Sequence, residues 1–346
     1  MQYKKAGVDI KAGDAVKRKI GEYVKSTFNK NVYGKFGGFG GMFRFKSKDF
    51  KNPVLVSSID GVGTKIKIAS MMNKYDTVGV DLVNHCINDI LVQGARPLFF
   101  LDYIAMSKLD KNVVKETIKG LAYACKKANC VLIGGETAQM PGIYIKGEYD
   151  LAGCIVGIVE EGKIINGNTI MPGDKIIGLA STGLHTNGYS LVRKLLFEKK
   201  TYKVDAYLSE LKCTIGEELL KPHKSYLTSV THLLSSKFTI KAMAHITGGG
   251  FPGNISRILP SGLNAVLERG AWTIPPIFKF LQKLGKISNS EMYDVFNMGI
   301  GMILIVSKLQ VKNILIQLDK FNEKAWQIGE IQKSNPKISN NPVIIN

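Results

Sequence analysis

The segment at residues 53–105, PVLVSSIDGVGTKIKIASMMNKYDTVGVDLVNHCINDILVQGARPLFFLDYIA, decides the predicted fold of the first half of the chain. Its apolar run Val54–Val56 predicts a buried strand, and Asp60 comes where that strand ends. The turn after the strand holds two glycines, a hydroxyl and a cation: Gly61, Gly63, Thr64 and Lys65. Because glycine lets the backbone turn sharply and approach a ligand closely, this strand end is a candidate binding site.

A helical period begins at Asp81. At about 100° per residue, one face of this helix collects four polar side chains: Asp81, His85, Asn88 and Asp89. The opposite face collects six apolar ones: Leu82, Val83, Cys86, Ile87, Ile90 and Leu91. One face is therefore expected to pack, while the other presents oxygens and an imidazole.

The two acidic positions are best interpreted together. Taken alone, Asp81 would equally be the N-cap of a helix and Asp60 a turn residue. Their combination with the turn and the polar helix face favours a nucleotide–metal site, since oxygen-rich clusters suit Mg²⁺ held with phosphates. We predict Asp60, Asp81 and Asp89 as the Mg²⁺ ligands, and we assign catalytic roles to Asp60, Lys65 and Asp81.

Further nucleotide contacts are predicted on both sides of this segment. A glycine-rich run can offer backbone N–H groups to a phosphate, although its composition equally fits a flexible loop; its candidate residues are Gly37, Gly38, Gly40 and Gly41. Glu136 follows the apolar strand Val131–Ile133 and two glycines, which favours a ligand role over a plain surface carboxylate. The predicted nucleotide contacts of the central segment are Gly61, Gly63, Thr64 and Asn88.

Two loops in the second half carry a second set of candidates. The stretch STGLHTNGYS at residues 181–190 follows the predicted strand Lys175–Ala180 and precedes a helix. Beside its hydroxyl and amide neighbours, His185 is assigned a catalytic, substrate-contacting role rather than that of a structural histidine. HITGGGFPGN at residues 245–254 is interpreted as a backbone phosphate cradle. The predicted substrate contacts are Asn187, Ser190, Thr247, Gly248, Gly249 and Gly250.

The length of 346 residues accommodates two domains, and strands alternating with helices predict an α/β (α+β) chain. Turn chemistry at Glu160–Gly162 and at Met171–Asp174 places the boundary near residues 160–175, giving domains 1–168 and 169–346. The final residues, from about Asn335 to Asn346, read as a loose tail. No apolar run approaches the ~20 residues of a membrane helix and no signal-type segment opens the chain, so we expect a soluble cytoplasmic protein without a membrane partner.

The formal net charge is +19, from 47 Lys and Arg against 28 Asp and Glu. A basic excess attracts nucleic acid, acidic membranes or phosphorylated small molecules. The lysines are dispersed rather than interleaved with aromatics, so we expect no nucleic-acid partner. The five cysteines form no CxxC pair and are expected to be buried free thiols. No GxxxxGK[ST] motif is present, which excludes a P-loop enzyme.

The motifs SSIDGVGTK, GVDLVNHCINDILVQGARPLFFLDY and LIGGETAQMPG closely resemble the AIR synthetase (phosphoribosylformylglycinamidine cyclo-ligase) family. STGLHTNGYSL in the second half is similar to the same family. The resemblance runs from about Tyr3 to about Glu330. It departs at Pro222–Tyr226, where His223 stands in place of the expected threonine, so that any ligand contact from position 223 is in doubt.

The resemblance implies ATP-dependent cyclisation of formylglycinamidine ribonucleotide to aminoimidazole ribonucleotide in purine biosynthesis, with ADP and phosphate released. It further implies ATP and Mg²⁺ as cofactors and a two-domain AIR synthetase-like fold. The first domain would bind ATP and the second the substrate and its phosphate. Two alternatives stay open: another ATP-dependent member of the superfamily, of selenophosphate synthetase or thiamine-monophosphate kinase type, and a non-catalytic nucleotide- or RNA-binding protein.

A homodimer through the first domain is also predicted. The strands Val54–Ile59, Leu98–Ala105 and Leu151–Val159 are nearly continuously apolar and require cover on both faces. Only two or three clear helices precede residue 170, which predicts a partly uncovered sheet face. The resemblance implies the same answer, a dimer whose first-domain sheets meet across a two-fold axis. The alternative is a monomer whose second domain covers that face.

Overall fold

The computed structural model describes residues 10–334 and 341–346 and divides the chain into two units. The first unit holds the described residues up to Ile90 together with Ala95–Gly162. The second holds Leu91–Gly94 and the described residues from Lys163 onward. Both units combine a sheet with helices, which confirms the predicted α/β class.

The first unit is built on a mixed four-stranded sheet in the order β3-β6-β4-β5. Its strands are β1 (Val32–Tyr33), β2 (Met42–Phe43), β3 (Pro53–Gly61), β4 (Arg96–Met106), β5 (Val131–Gln139) and β6 (Tyr149–Glu160), of which β1 and β2 form a separate antiparallel pair. Its helices are α1 (Ile10–Lys25), α2 (Lys65–Met72), α3 (Asp76–Leu91), whose last residue falls in the second unit, and α4 (Lys111–Lys127). Strands β4 and β5 run parallel, whereas β6 is antiparallel to both of its neighbours.

Helix α3 packs on one face of this sheet because β6 carries glycines beneath it. A Cβ atom at Gly153 would lie 2.3 Å from the Phe100 ring and 2.9 Å from Leu82. A Cβ at Gly157 would lie 2.4 Å from Ile90. The missing side chains let the helix settle onto the strand, and the six apolar residues predicted for its packed face are all buried.

Helices α3 and α4 cross at two glycines. A Cβ at Gly79 would lie 2.3 Å from the carbonyl oxygen of Thr117, and a Cβ at Gly120 would lie 1.9 Å from that of Asp76. Real Cβ atoms do not approach backbone this closely, so the backbones meet only because both positions lack a side chain. This contact fixes the start of α3, the helix that carries the predicted polar face.

The opposite face of the sheet is apolar and open in the described chain. On β3, residues alternate between exposed and half-buried positions, with Leu55 65% and Ile59 73% exposed. Ile59 is in register with Cys154 on β6, and Cys154 in turn with Leu101 on β4. These strands therefore do alternate, in contrast to the continuous burial expected from their composition.

The second unit is built on a six-stranded sheet in the order β10-β12-β7-β13-β11-β14, and β8 and β9 form a separate antiparallel pair. Its strands are β7 (Lys175–Ala180), β8 (Tyr207–Leu208), β9 (Cys213–Thr214), β10 (Ile240–His245), β11 (Leu263–Leu267), β12 (Ile300–Val306), β13 (Ala325–Lys333) and β14 (Val343–Ile345). Its helices are α5 (Tyr189–Arg193), α6 (Ile215–Leu219), α7 (Leu227–Ser235), α8 (Gly250–Ile255), α9 (Pro276–Gly285), α10 (Asn289–Val295) and α11 (Val311–Lys320). Helix α5 continues as a π-helical stretch, Lys194–Lys199.

The core of the second unit lies between its sheet and helices α7 and α11. It contains Ile177 and Leu179 of β7, Val230 and Leu233 of α7, and Ile314 of α11, all inaccessible to solvent. Every residue of β12 is buried, which is typical of a central strand covered on both faces.

Two sequence-based expectations are corrected. Helix α3 begins at Asp76 rather than at Asp81, so Asp81 lies inside the helix and is not its N-cap. Within the predicted loose tail, Val343–Ile345 forms strand β14, parallel to β11, while residues 335–340 lie outside the described part.

The crossing of α3 and α4 makes Gly120 sensitive to a single methyl group. We expect Gly120→Ala to lower the free energy of unfolding by about 2 kcal/mol or more, because a packed backbone contact has to separate. Chemical denaturation of the purified protein measures this change.

Gly13→Ala is the matched control, since it lies in helix α1 with nothing within 4 Å of the position that its new methyl group would take. There alanine is expected to be neutral or stabilising, by up to about 1 kcal/mol. Equal stability changes in the two variants would contradict the close-packing argument.

Candidate functional site

The end of β3 and the polar face of α3 bring two predicted carboxylates around one imidazole. His85 Nε2 lies 2.8 Å from Asp60 Oδ2 and 3.8 Å from Asp89 Oδ2. Ser58 adds a hydroxyl that donates to Asp89 Oδ2 at 3.2 Å. The imidazole is buried, whereas the side chains of Asp60 and Asp89 are 38% and 26% exposed, so oxygens remain available to a ligand.

The charged groups in this cluster stabilise each other's ionised forms. Burial lowers the pKa of His85, but the hydrogen bond to Asp60 and the charges of Asp89, Asp60 and Asp81 outweigh it and raise that pKa above its ordinary value. Burial raises the pKa of Asp60, but the hydrogen bond and charge of His85 prevail and hold it below its ordinary value. The pair therefore favours a cationic imidazole beside an ionised carboxylate.

Lys65 and Asp81 form an ion pair that is closed to water. The lysine Nζ lies 2.9 Å from Oδ1 and 2.8 Å from Oδ2 of Asp81, and both side chains are 0% exposed. Burial lowers the pKa of Lys65, and Asp81 opposes that shift. Sequence reasoning assigned both residues to the site, but it did not reveal that each is the other's partner.

The remaining nucleotide candidates lie in different places. Asn88 is buried on α3, Gly61 is the last residue of β3, and Val62–Thr64 form the turn between β3 and α2. Gly37–Gly41 is an exposed loop between β1 and β2. Gly41 approaches the sheet, since a Cβ there would lie 2.6 Å from the Ile133 side chain.

The structure does not bring Glu136 to the cluster around His85. Strand β5 is at the opposite edge of the sheet from β3, three strand spacings or about 14 Å away. Glu136 is in register with Tyr103, on the open face, whereas Asp60 is in register with Gly153 beneath α3. The nucleotide role of Glu136 therefore stays a prediction, and it would require a nucleotide contact on the other face of the sheet from Asp60.

One buried carboxyl in this unit was not predicted. Asp102 on β4 lies beneath the helices, and a Cβ at Gly135 would lie 2.3 Å from its Oδ1. Burial raises the pKa of Asp102 to about 7, because its charged form has lost water. An acidic residue within an apolar strand, as in LFFLDY, was the available sequence signal.

In the second unit the two predicted substrate loops lie side by side. Gly248 is exposed, and a Cβ there would lie 3.4 Å from Oδ1 of Asn187. Asn254 holds the glycine loop by donating to the carbonyl oxygens of Thr247, Gly248 and Gly250. The loop backbone is thereby fixed while Gly248 and Gly249 face solvent.

Backbone geometry explains several residue choices in these loops. Gly250 has φ +55°, and a Cβ there would lie 1.9 Å from the carbonyl oxygen of Tyr293. His185 adopts the left-handed region, with φ +60°, and its Nε2 accepts a hydrogen bond from the backbone of Thr182 at 3.2 Å. Ser190 is exposed on α5.

Two further histidines, not among the predicted site residues, stand between these loops. His223 and His245 are buried, and their Nε2 atoms are 2.9 Å apart. The rings of His185 and His223 stack with their centroids 4.1 Å apart. Position 223 was the point where the sequence departs from the expected pattern, and it lies at the centre of the cluster.

The fold and the two sets of residues define an AIR synthase related protein. A family model described as the N-terminal domain of such proteins matches residues 48–159, and one described as the C-terminal domain matches residues 171–339. The chain belongs to the AIR synthase related family.

Curated relatives identify the particular branch. The chain is 49% identical over 343 residues to a phosphoribosylformylglycinamidine cyclo-ligase of Trichlorobacter lovleyi, covering 99% of this chain and 98% of the relative. It is 52% identical to the protein of that name in Syntrophus aciditrophicus, covering 96% and 95%. It is 53% identical to the one in a Thermoanaerobacter species, covering 96% and 98%.

Solved structures share the fold at low sequence identity. Thiamine-monophosphate kinase from Stenotrophomonas maltophilia matches with a TM-score of 0.67 and 15% identity, covering 96% of this chain and 95% of the kinase. Hydrogenase maturation protein HypE in complex with ATP matches with a TM-score of 0.67 and 15% identity, covering 95% and 90%. Among the described residues, no helix combines the length and apolar character needed to cross a membrane.

The buried ion pair leads to a stability prediction. Asp81→Asn leaves the ammonium of Lys65 without its counter-charge in a dry site, so the free energy of unfolding is expected to fall by about 3–5 kcal/mol. Urea denaturation of the wild type and the variant measures the difference.

Glu148→Gln is the matched control, because it removes a carboxylate from Lys67, on the same helix as Lys65 but in a partly solvent-exposed pair. Its expected cost is about 1 kcal/mol or less. A similar small effect for both variants would contradict the argument from burial.

Proposed function

We propose that this chain catalyses the ATP-dependent cyclisation of formylglycinamidine ribonucleotide to aminoimidazole ribonucleotide, with release of ADP and phosphate. The observation that carries the proposal is the identity of about half of all residues with phosphoribosylformylglycinamidine cyclo-ligases over nearly the full length of both chains. The enzyme is accordingly a ligase that forms a C–N bond in purine biosynthesis. Kinase-type alternatives have only a fold likeness at 15% identity in their support.

The reaction requires activation of an amide oxygen. The terminal phosphoryl group of ATP passes to the oxygen of the formyl amide. The amidine-side nitrogen then attacks the formyl carbon and loses its proton, and phosphate leaves as the ring closes. Such chemistry depends mainly on positioning and on neutralising charge around the phosphoryl group. This chain offers three kinds of group for it: the carboxylates of Asp60 and Asp89, the ammonium of Lys65 held by Asp81, and the exposed glycines of the loops.

The first unit is proposed to bind the nucleotide and Mg²⁺. Asp60 and Asp89 fit a hard cation, because both carboxylates are partly exposed and both lie next to the same nitrogen, Nε2 of His85. A bound Mg²⁺ would neutralise phosphate charge. His85 orients the two carboxylates, and Asp81 holds Lys65; the prediction of Asp81 as a third metal ligand stands beside this role. Gly61, Gly63 and Thr64 lie next to Asp60 and are proposed to contact phosphates.

The second unit is proposed to bind the ribonucleotide. Thr247–Gly250 would receive its phosphate, since Asn254 fixes this backbone while Gly248 and Gly249 stay exposed. Asn187 lies against Gly248, so a ligand on the glycines also meets the first loop. His185 and Ser190 complete the proposed substrate contacts.

The function is tested by product formation from the purified protein. We expect ADP release in a coupled assay only when ATP, Mg²⁺ and formylglycinamidine ribonucleotide are all present, with aminoimidazole ribonucleotide formed in equal amount. Release of ADP without the ribonucleotide, or transfer of phosphate to thiamine monophosphate, would replace this proposal with another ATP-using activity.

Asp60→Asn tests the nucleotide site in the same assay. Loss of this carboxylate is expected to reduce turnover by about 10²-fold, the usual effect of removing one preorganised electrostatic group. Asp150→Asn is the control, because Asp150 is an exposed aspartate on β6 of the same sheet. Near-normal turnover of Asp60→Asn at limiting Mg²⁺ would place the metal elsewhere.

A homodimer through the open face of the first unit's sheet is proposed as well. Leu55 and Ile59 of β3, and Leu101 and Tyr103 of β4, are exposed on a face where residues of neighbouring strands are in register. A contiguous apolar face of this kind marks an interface, and two-fold pairing is the commonest closed symmetry. The five free thiols agree with a reducing compartment, and we propose that the enzyme works in the cytoplasm.

Leu55→Asp tests this interface. A charge within an apolar contact is expected to convert a species of about twice the chain mass into one near 38.0 kDa. Light scattering behind gel filtration measures the mass. The control is Leu309→Asp, at a leucine 91% exposed in the second unit, which should leave the mass unchanged. A wild-type mass near that of one chain would overturn the dimer.

A further inference from the structure

Three imidazoles meet inside the second unit, each from a different segment. His185 comes from the loop after β7, His223 from the connection between α6 and α7, and His245 from the end of β10. All three are buried. Their ring nitrogens lie close enough that one atom from each falls within 4.8 Å of the others.

His223 makes a directed contact on each side of its ring. Its Nδ1 lies 3.3 Å from Oγ1 of Thr186, and its Nε2 lies 2.9 Å from Nε2 of His245. Two N–H groups cannot face each other at that distance, so one Nε2 carries the proton and donates the hydrogen bond, and the other Nε2 accepts it with its lone pair. The bond between the two imidazoles therefore has one donor and one acceptor.

The geometry argues against a common metal ion. Two nitrogens on one tetrahedral Zn²⁺, each about 2.0–2.1 Å from it, are separated by roughly 3.3 Å, more than the 2.9 Å found here. The rings of His185 and His223 also stack, with an interplanar angle of 28°. Lone pairs in nearly parallel ring planes do not converge on one point. Hydrogen bonding and stacking account for the cluster.

We infer that His223 is a positioning residue that locks the two substrate loops to each other. Thr186 belongs to the first loop beside His185 and Asn187, while His245 comes two residues before Thr247 of the second. The side chain of Asn187 lies against Gly248, so a shift of either loop would change the ligand-facing surface. The identity of the ligand rests on the proposed function; the bridge itself does not.

Three substitutions separate the two contacts. His223→Gln keeps a polar group near the Nε2 position, and His223→Asn keeps one near Nδ1. His223→Phe retains a ring for stacking but neither hydrogen bond. The control is His232→Phe, since His232 is a half-buried histidine on α7 that contacts Phe321 and lies outside the cluster.

His223→Phe is expected to raise the KM for formylglycinamidine ribonucleotide by roughly five- to hundredfold, as loss of a buried hydrogen-bond partner does. The KM for ATP should change by less than about twofold, because neither hydrogen-bond partner of His223, Thr186 or His245, is a nucleotide candidate. His223→Gln and His223→Asn each retain one of the two contacts, so each should give a smaller rise in the ribonucleotide KM than His223→Phe. Equal rises in both KM values, or no rise in any variant, would overturn the inference.

A measurement without turnover keeps this test separate from the proposed function. In protein labelled with ¹⁵N-histidine, the ring-nitrogen NMR signals of His245 should show a fixed tautomer, lost in His223→Phe and retained in His223→Gln and His232→Phe. If the wild type fails to cyclise the ribonucleotide but these signals behave as expected, only the ligand assignment fails.

A metal site is tested directly with cobalt. We expect no tetrahedral Co²⁺ absorption that depends on His223. A visible spectrum of that type in the wild type, lost in both His223→Phe and His223→Gln and kept in His232→Phe, would overturn the hydrogen-bonded bridge. His245 signals that are unchanged in His223→Phe would overturn it as well.

Discussion

The ion pair of Lys65 and Asp81 is the constraint on which the first unit's candidate site depends. Both charges have left water entirely, which is tolerated only when each is held at close range by the other. Lys65 opens α2 just after the turn that follows Asp60, and Asp81 lies one turn before His85 on α3. A single buried contact therefore sets the turn against the polar helix face. The carboxylates that remain open to solvent, Asp60 and Asp89, receive their positions from this closed pair and from His85.

Glycines decide where the functional backbone can lie. At Gly79 and Gly120 they let α3 meet α4, and at Gly250 one lets the glycine loop pass beneath Tyr293. Gly301 on β12 acts in the same way, since a Cβ there would lie 2.5 Å from the His185 ring and 2.2 Å from the hydroxyl of Tyr226. In both units the positions of the proposed ligand-binding groups thus depend on close contacts of the backbone that only glycine permits.

The elements with strong hydrophobic periodicity could be predicted from the sequence. Contacts between residues that are far apart in the chain could not. The apolar face of α3 and strand β7 were predicted correctly, because hydrophobic spacing alone specifies them. The start of α3 at Asp76 was missed, since Gly79 weakens the local helical signal. Sequence spacing does not reveal that Glu136 lies on the other sheet face from Asp60. Nor does it join His223 to His245, which approach only through the sheet and its connections.

Strand order in the second unit has a consequence for folding during synthesis on the ribosome. Strand β7, the earliest of the six to be synthesised, pairs on one side with β12 and on the other with β13, more than a hundred residues later. Its apolar residues stay without their sheet neighbours until residues 300–333 have been translated. The first unit's four-stranded sheet needs nothing beyond residue 160. During synthesis the first unit should therefore fold while the strands of the second unit are still unpaired. In that interval a chaperone can bind the exposed apolar residues of the second unit.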